Sequence, residues 1–314
     1  MTNTESITGY LTGAPNFTEA FCGHVAYYEV TESTKIPHDQ FVDRLTQLDL
    51  GSYIPDPPRD DDAFSRVTSA VQRKREPVPG RTDQFANYLV RKVRHSKGDI
   101  VKQIVIEIVD GQNKRLTFTP AIEMQFSAQG SRFSVTPLID TGDPGEQQAW
   151  ALAMEARSQF FAWRGHLNSD AIRRFINRVI VGSQATILKA GLYFIPTPRM
   201  ELVERMQQAV SGINGVVVHT IPLVDTEDQR AMVRRAFQTE TVGHAQKLTA
   251  QIHEMINSGN VDGVAATRLQ EEIATLAEKA SEYQHLLEGS LGGTELHMAS
   301  LEAARRKLVW HATT

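Results

Sequence analysis

Between residues 102 and 135 apolar and polar side chains alternate with a period of two. In KQIVIEIV, Ile104, Ile106 and Ile108 share one side; KRLTFT sets Leu116 and Phe118 against Arg115, Thr117 and Thr119. AIEMQFS sets Ile122, Met124 and Phe126 against Glu123 and Gln125, and RFSVT puts Phe133 and Val135 on one side. DGQN and AQGS supply turns, so the pattern predicts an antiparallel meander with one apolar and one polar face. The apolar face needs a cover, and two preceding helices can supply it. One spans 38–49, with Phe41, Leu45 and Leu48 on its stripe. The other is opened by Asp62 as N-cap, carries Phe64, Val67 and Val71, and closes on Arg73, Lys74 and Arg75. CGHVAYYEV (22–30) has strand composition, and Pro55, Pro57 and Pro58 forbid regular structure between the helices.

Helical periodicity dominates the second half. A turn-rich linker, DTGDPGEQQ, leads to a helix over 146–163 and another in DAIRRFINRVIVG. There Ile172, Phe175, Ile176, Val179 and Ile180 form the buried stripe, Arg173, Arg174 and Arg178 lie on the wet face, and Asn168 or Ser169 caps the start. AGLYFIP (190–196) and VVVHTIPL (216–223) read as strands flanking a helix over RMELVERMQQAV, with Thr197 as its cap. A right-handed crossover between parallel strands fits that order, and the sequence leaves antiparallel pairing open. Thr226 with Gln229 makes a capping-box pattern before a helix of about 30 residues, about 45 Å long. In the next helix, 264–288, Ala265, Leu269, Ile273, Leu276, Ala280, Tyr283 and Leu287 recur at near-heptad spacing. GSLGG and a terminal helix follow. This stripe suits antiparallel packing within the chain and also a dimeric coiled coil, with Leu269, Ile273, Leu276, Tyr283 and Leu287 as the helix interface.

The expected fold class is therefore α+β: a helix-covered meander, a middle helix-strand-helix-strand unit, and a C-terminal helical hairpin with a terminal helix. The expected division is a polar tail over 1–20, a meander domain over 21–140, an α/β unit over 146–225 and a helical segment over 226–314. Cys22 is the only cysteine, which removes internal disulfides and thiolate-rich zinc sites and points to the cytoplasm. No apolar run is long enough to span a bilayer, so no membrane partner is expected. Net charge is −4, but residues 64–115 hold twelve lysines and arginines against five acids, leaving 21 against 32 elsewhere. Arg73, Lys74, Arg75, Arg91, Lys92, Arg94 and Lys97 are the candidate nucleic-acid contacts, of a kind that binds phosphates without reading sequence.

Motifs for chemistry are missing. There is no Gly-Lys dipeptide for a P-loop, no Gly-x-Gly for a dinucleotide fold and no Gly-x-Ser-x-Gly elbow. HEMIN (253–257) lacks the second histidine of a zinc-protease helix, and Asp60, Asp61 and Asp62 suit a helix N-terminus better than a metal site. No catalytic residue, metal or cofactor is assigned, and an active site assembled from distant residues, which would leave no local spacing to read, stays open as a third alternative. GLYFIP, with PLVDTEDQRAMV downstream, resembles an uncharacterised family of actinobacteria, their phages and some archaea, over 170–237; the resemblance implies a bacterial or phage setting and transfers no activity. The expectation is a non-enzymatic interaction or scaffold protein that assembles, with itself or a protein partner, through its C-terminal helices. The alternative is a sequence-indifferent nucleic-acid binder using 73–97.

Overall fold

In the computed structural model, residues 21–96, 98–140, 142–258, 263–287 and 294–313 are described, with side chains to 309. The 1–20 tail, Lys97 and the GSLGG turn lie outside the described residues. The fold is α+β with antiparallel sheets, and the chain divides into two compact units. One comprises the described residues of 35–44 and 54–171, the other those of 1–34, 45–53 and 172–314.

The first of these units holds the meander. Strands β3 (Arg73–Pro77), β4 (Gln84–Ser96), β5 (Asp99–Asp110), β6 (Arg115–Ser127) and β7 (Arg132–Pro137) lie in sequence order, each antiparallel to the next. One face carries Ala86, Tyr88, Ile100, Ile104, Ile106, Ile122, Met124, Phe126 and Phe133. Its cover differs from expectation. The first expected cover forms as α1 (His38–Gln47) but gives no residue to this core; helix α2 (Asp60–Ala70) contributes Phe64 and Val67, and the other cover is α3 (Pro144–Trp163), which follows the sheet. Ala149, Ala153 and Ala156 let α3 approach the sheet closely, and Phe160 reaches Phe133 edge-on with ring centroids 5.5 Å apart. Asp143 and Glu146 form a capping box that fixes the start of α3.

The predicted caps need two corrections here. Helix α2 begins at Asp60, so Asp62 is inside its first turn, and the N-cap is Arg59, whose side chain makes no capping bond. The three aspartates serve the helix dipole instead, with Asp60 also 3.0 Å from Arg164. The helix ends at Ala70, so Arg73, Lys74 and Arg75 do not close it. They form β3, because β4 offers an edge to pair with and Val71 turns into the core. Arg75 sits in a bulge with φ 57°, held by its N–H donating to Asn87 Oδ1 at 2.9 Å.

A short pair, β2 (Lys35–Pro37) with β8 (His166–Asn168), completes this unit. Neither is foreshadowed in the sequence, because three residues are too few to show a period.

The other unit is built on a sheet of order β11-β1-β10-β9. These are β1 (Phe21–Val30), β9 (Thr186–Lys189), β10 (Leu192–Pro196) and β11 (Val216–Val224). β10 and β11 do not pair. Each runs antiparallel to β1, which lies between them, so the two are parallel and the intervening α5 (Met200–Val210) crosses over β1. β1 and β10 approach closely at Gly23, where a Cβ would stand 2.4 Å from the Ile195 carbonyl oxygen. One sheet face meets α5 and α4 (Ser169–Gly182). Asn177 Oδ1 of α4 accepts from Tyr28 at 3.0 Å and Tyr193 at 3.4 Å, and Gln207 of α5 donates to Val218 O at 3.1 Å. The predicted α4 stripe is buried, Asn168 caps it through the Ala171 N–H, and Arg173 and Arg178 bond Val30 O and Tyr53 O. Thr197 does not cap α5; it opens a 3-10 turn, and its hydroxyl donates to Phe21 O.

Beyond β11, Thr226 caps α6 (Glu227–Asn257), followed by α7 (Gly263–Leu286) and α8 (Thr294–Thr313), with α7 and α8 forming a hairpin-like pair. Val233 and Phe237 of α6, with Tyr283 and Leu287, pack on Cys22 and Phe194 of the sheet. Farther along, Ala245, Leu248 and Ile252 meet Leu269, Ile273 and Leu276, and Leu301, Ala304 and Leu308 close the bundle.

Candidate interaction surfaces

The expected helix interface lies inside this bundle. Leu269, Ile273 and Leu276 are at most 8% exposed, and Tyr283 and Leu287 are fully buried. The near-heptad spacing is thus used for packing within the chain. The same stripe contains a charge. Lys279 falls between Leu276 and Tyr283 at helical spacing, and its ammonium donates to Ala185 O at 2.6 Å and Glu240 at 2.7 Å. It also lies over the rings of Phe237 and Tyr283. Burial pushes it below the usual lysine range, against the pull of Glu240. Glu240 in turn accepts the Ile187 N–H at 2.9 Å, so helix α6 occupies a donor on the outer edge of β9.

The basic residues divide into two groups. Arg73 bonds Ala70 O and Gln72 O and lies 3.6 Å from Glu155. Arg75 donates to Asn113 Oδ1 at 2.6 Å and covers the Phe85 ring. Arg91, Lys92 and Arg94 differ: all three are exposed, and none has an ion pair or side-chain hydrogen bond among the described residues. The register explains why. β3 pairs with β4 only as far as Tyr88, so the second half of β4 is an open edge. A bulge after Lys92 leaves Val93 55% exposed. Lys74 is exposed as well, while Lys97 lies outside the described residues. Lys102, the cross-strand partner of Lys92 on the core-facing side of this hairpin, is buried and donates to Thr68 Oγ1 at 2.8 Å and Ser65 O at 3.2 Å. Burial, then the charge of Lys92, lowers its pKa.

A third surface was not legible from motifs. Val25, Ile187, Leu188 and Leu192, from β1, β9 and β10, face Ala231, Met232 and Ala236 of α6 across a groove of about 1010 Å³. Ile187 is 51% and Met232 43% exposed. Among the described residues no group of three or more histidines, cysteines, aspartates or glutamates could hold a metal ion, and no helix is long and apolar enough to cross a membrane. Cys22 is buried, with burial raising its thiol pKa.

A model of a family of unknown function matches residues 21–313. The chain belongs to that family, DUF6744. Membership of DUF6744 thus extends well beyond the 170–237 stretch that carries the resemblance in the sequence, over both compact units. No curated protein and no solved structure matches the chain. For this DUF6744 member the groove escaped the sequence reading because β9 is four residues long and separated from β10 by two residues only. The available signal was ATILKAGLYF, two apolar runs around an Ala-Gly turn. The signal for Lys279 was a cation at a stripe position.

Proposed function

We propose that this protein is a non-catalytic nucleic-acid binder that uses the open edge of β4 and reads no sequence. The observation that carries the reading is the run Arg91, Lys92 and Arg94, exposed and without an ion pair or side-chain hydrogen bond among the described residues, with the charge of Arg91 felt by the carboxylate of Glu107. Charge on an edge also keeps it from pairing with a second strand, but three exposed cations within four residues, in a segment of local charge +7, exceed what that protection needs. Assembly through Leu269, Ile273, Leu276, Tyr283 and Leu287 has less support, since these side chains are spent on the chain's own bundle.

The test is fluorescence anisotropy of a labelled duplex titrated with the full chain at several salt concentrations. Each neutralised phosphate adds about −0.9 to the slope of log K against log salt, so these three side chains account for about −3. Arg91→Glu, Lys92→Glu and Arg94→Glu together are expected to abolish binding and, with it, the salt dependence. Absence of wild-type binding at about 50 mM salt, where phosphate contacts are strong, refutes the proposal.

A further inference from the structure

The groove between the sheet and α6 has the shape, lining and charge of a ligand site. Its floor is Val25, Ile187, Leu188 and Leu192, and its wall is Ala231, Met232 and Ala236. The two alanines leave the space open. Along α6 the lining runs from Asp228 to Glu240, about 18 Å at 1.5 Å per residue. At about 1010 Å³ it lies at the upper end of the roughly 300–1,000 Å³ typical of small-molecule sites. A mostly apolar channel of that length fits an extended hydrocarbon chain.

Charge selects the head group. Four ionisable side chains line the groove: Lys189, Arg235, Asp228 and Glu240. Glu240 is neutralised by Lys279 and engaged by the Ile187 N–H. Asp228 stands in the first turn of α6, where the helix N-terminus offsets its charge. Lys189 and Arg235 are exposed and have no ion pair or side-chain hydrogen bond among the described residues. The lining charge left without a partner is positive. We infer that the groove binds a free long-chain carboxylate, its chain on the apolar floor and its carboxylate between Lys189 and Arg235. The occupant is a single amphiphile molecule rather than a membrane surface, because the apolar residues line a groove between strands and helix and do not project from the surface.

The experiment titrates the full chain with cis-parinaric acid, whose fluorescence rises in apolar surroundings. Saturable one-to-one binding is expected. Lys189→Glu with Arg235→Glu should weaken it at least tenfold, since both side chains are on the surface and the far-UV circular dichroism should not change. Ala236→Trp should fill the groove and remove binding; if that variant fails to fold, the charge-reversal pair decides alone. Laurate should displace the probe and dodecyltrimethylammonium should not. Lack of saturable one-to-one binding by the wild type, equal displacement by the cationic amphiphile, or unchanged affinity in the charge-reversal variant each overturns the inference. So does co-sedimentation with phosphatidylglycerol vesicles in the absence of monomer binding.

Discussion

Replacing Lys279 by methionine tests how the sheet and helices of the second unit are held together. The ammonium is the shared partner of Ala185 O and Glu240, at 2.6 and 2.7 Å, and its side chain is 11% exposed. Breaking one side of a buried ion pair costs about 3–5 kcal/mol, because the other charge is stranded. Glu240 is 29% exposed and can rehydrate in part, which puts the expected loss below that of a fully buried pair, at about 2–3 kcal/mol. For a unit of this size that is a fall in Tm of about 4–12 °C. The second arm is Glu240→Gln. Its amide oxygen can still accept the Ile187 N–H, and beside Lys279→Met it leaves no charge to be stranded. The double variant Lys279→Met/Glu240→Gln should therefore recover most of the loss, with a coupling energy of about 2 kcal/mol in the range found for contacting residues. Urea denaturation followed at 222 nm measures all four species. Burial lowers the folded pKa of Lys279, so the folded state releases this proton before the unfolded chain does. Wild-type stability relative to Lys279→Met should accordingly rise with pH in the window between the lowered value and that of free lysine, about 10.4. A single variant within about 0.5 kcal/mol of wild type, or losses that simply add in the double variant, would refute the role assigned to the pair.

Other outcomes follow from single positions. Gly23→Ala would place a Cβ 2.4 Å from Ile195 O and 2.5 Å from the Phe194 ring, so it should cost about 3 kcal/mol, read as a lower urea midpoint. Asp143→Ala removes the capping box of α3 and should cost about 1 kcal/mol in the same assay. Glu107 accepts from Asn87 at 2.9 Å and Arg115 at 2.6 Å, and those bonds, Asn87's first, hold its carboxyl below the usual range. Its contribution is therefore complete above the free glutamate value of about 4.3 and is lost as pH falls through the lowered folded value. The stability gap between wild type and Glu107→Gln should close over that window and stay constant above pH 6.

What was legible in the sequence is what repeats. The meander announces itself because each long strand shows several periods of two, and the α4 stripe because five apolar residues recur at helical spacing. The α4 stripe is buried where the pattern places it, and so are Ile122, Met124 and Phe126 of β6. Leu116 and Phe118 of the same strand are the correction: the bulge opposite Ile104 and Val105 reverses the phase, so Thr117 and Thr119 face the way of Ile108 and Ile106 while Leu116 and Phe118 are 45% and 44% exposed. Pairing across distance leaves no such mark. Nothing local in CGHVAYYEV says that β1 joins β10 and β11, some 170 to 200 residues away, and not the meander that follows it. The prolines in strands carried part of that information. Pro77, Pro137 and Pro222 stand on the edge strands β3, β7 and β11, and Pro120 beside a bulge, where a missing N–H costs least. Read that way, Pro222 marks VVVHTIPL as an edge and argues for a strand on its other side only. The candidate surfaces divide along the same line. Arg91, Lys92 and Arg94 could be found as a charge run, but that they are unpaired depends on β3 stopping opposite Tyr88. Lys189 and Arg235 are 46 residues apart and neighbour no motif; only the hairpin β9–β10 lying beside α6 makes them two sides of one groove. A stripe of apolar residues tells that a helix is covered, and Leu269, Ile273 and Leu276 show that it cannot tell by what. The exception inside such a stripe is more informative. A lysine at position 279 could persist there only with an acceptor brought to it from elsewhere in the chain, and Glu240 and Ala185 O are those acceptors.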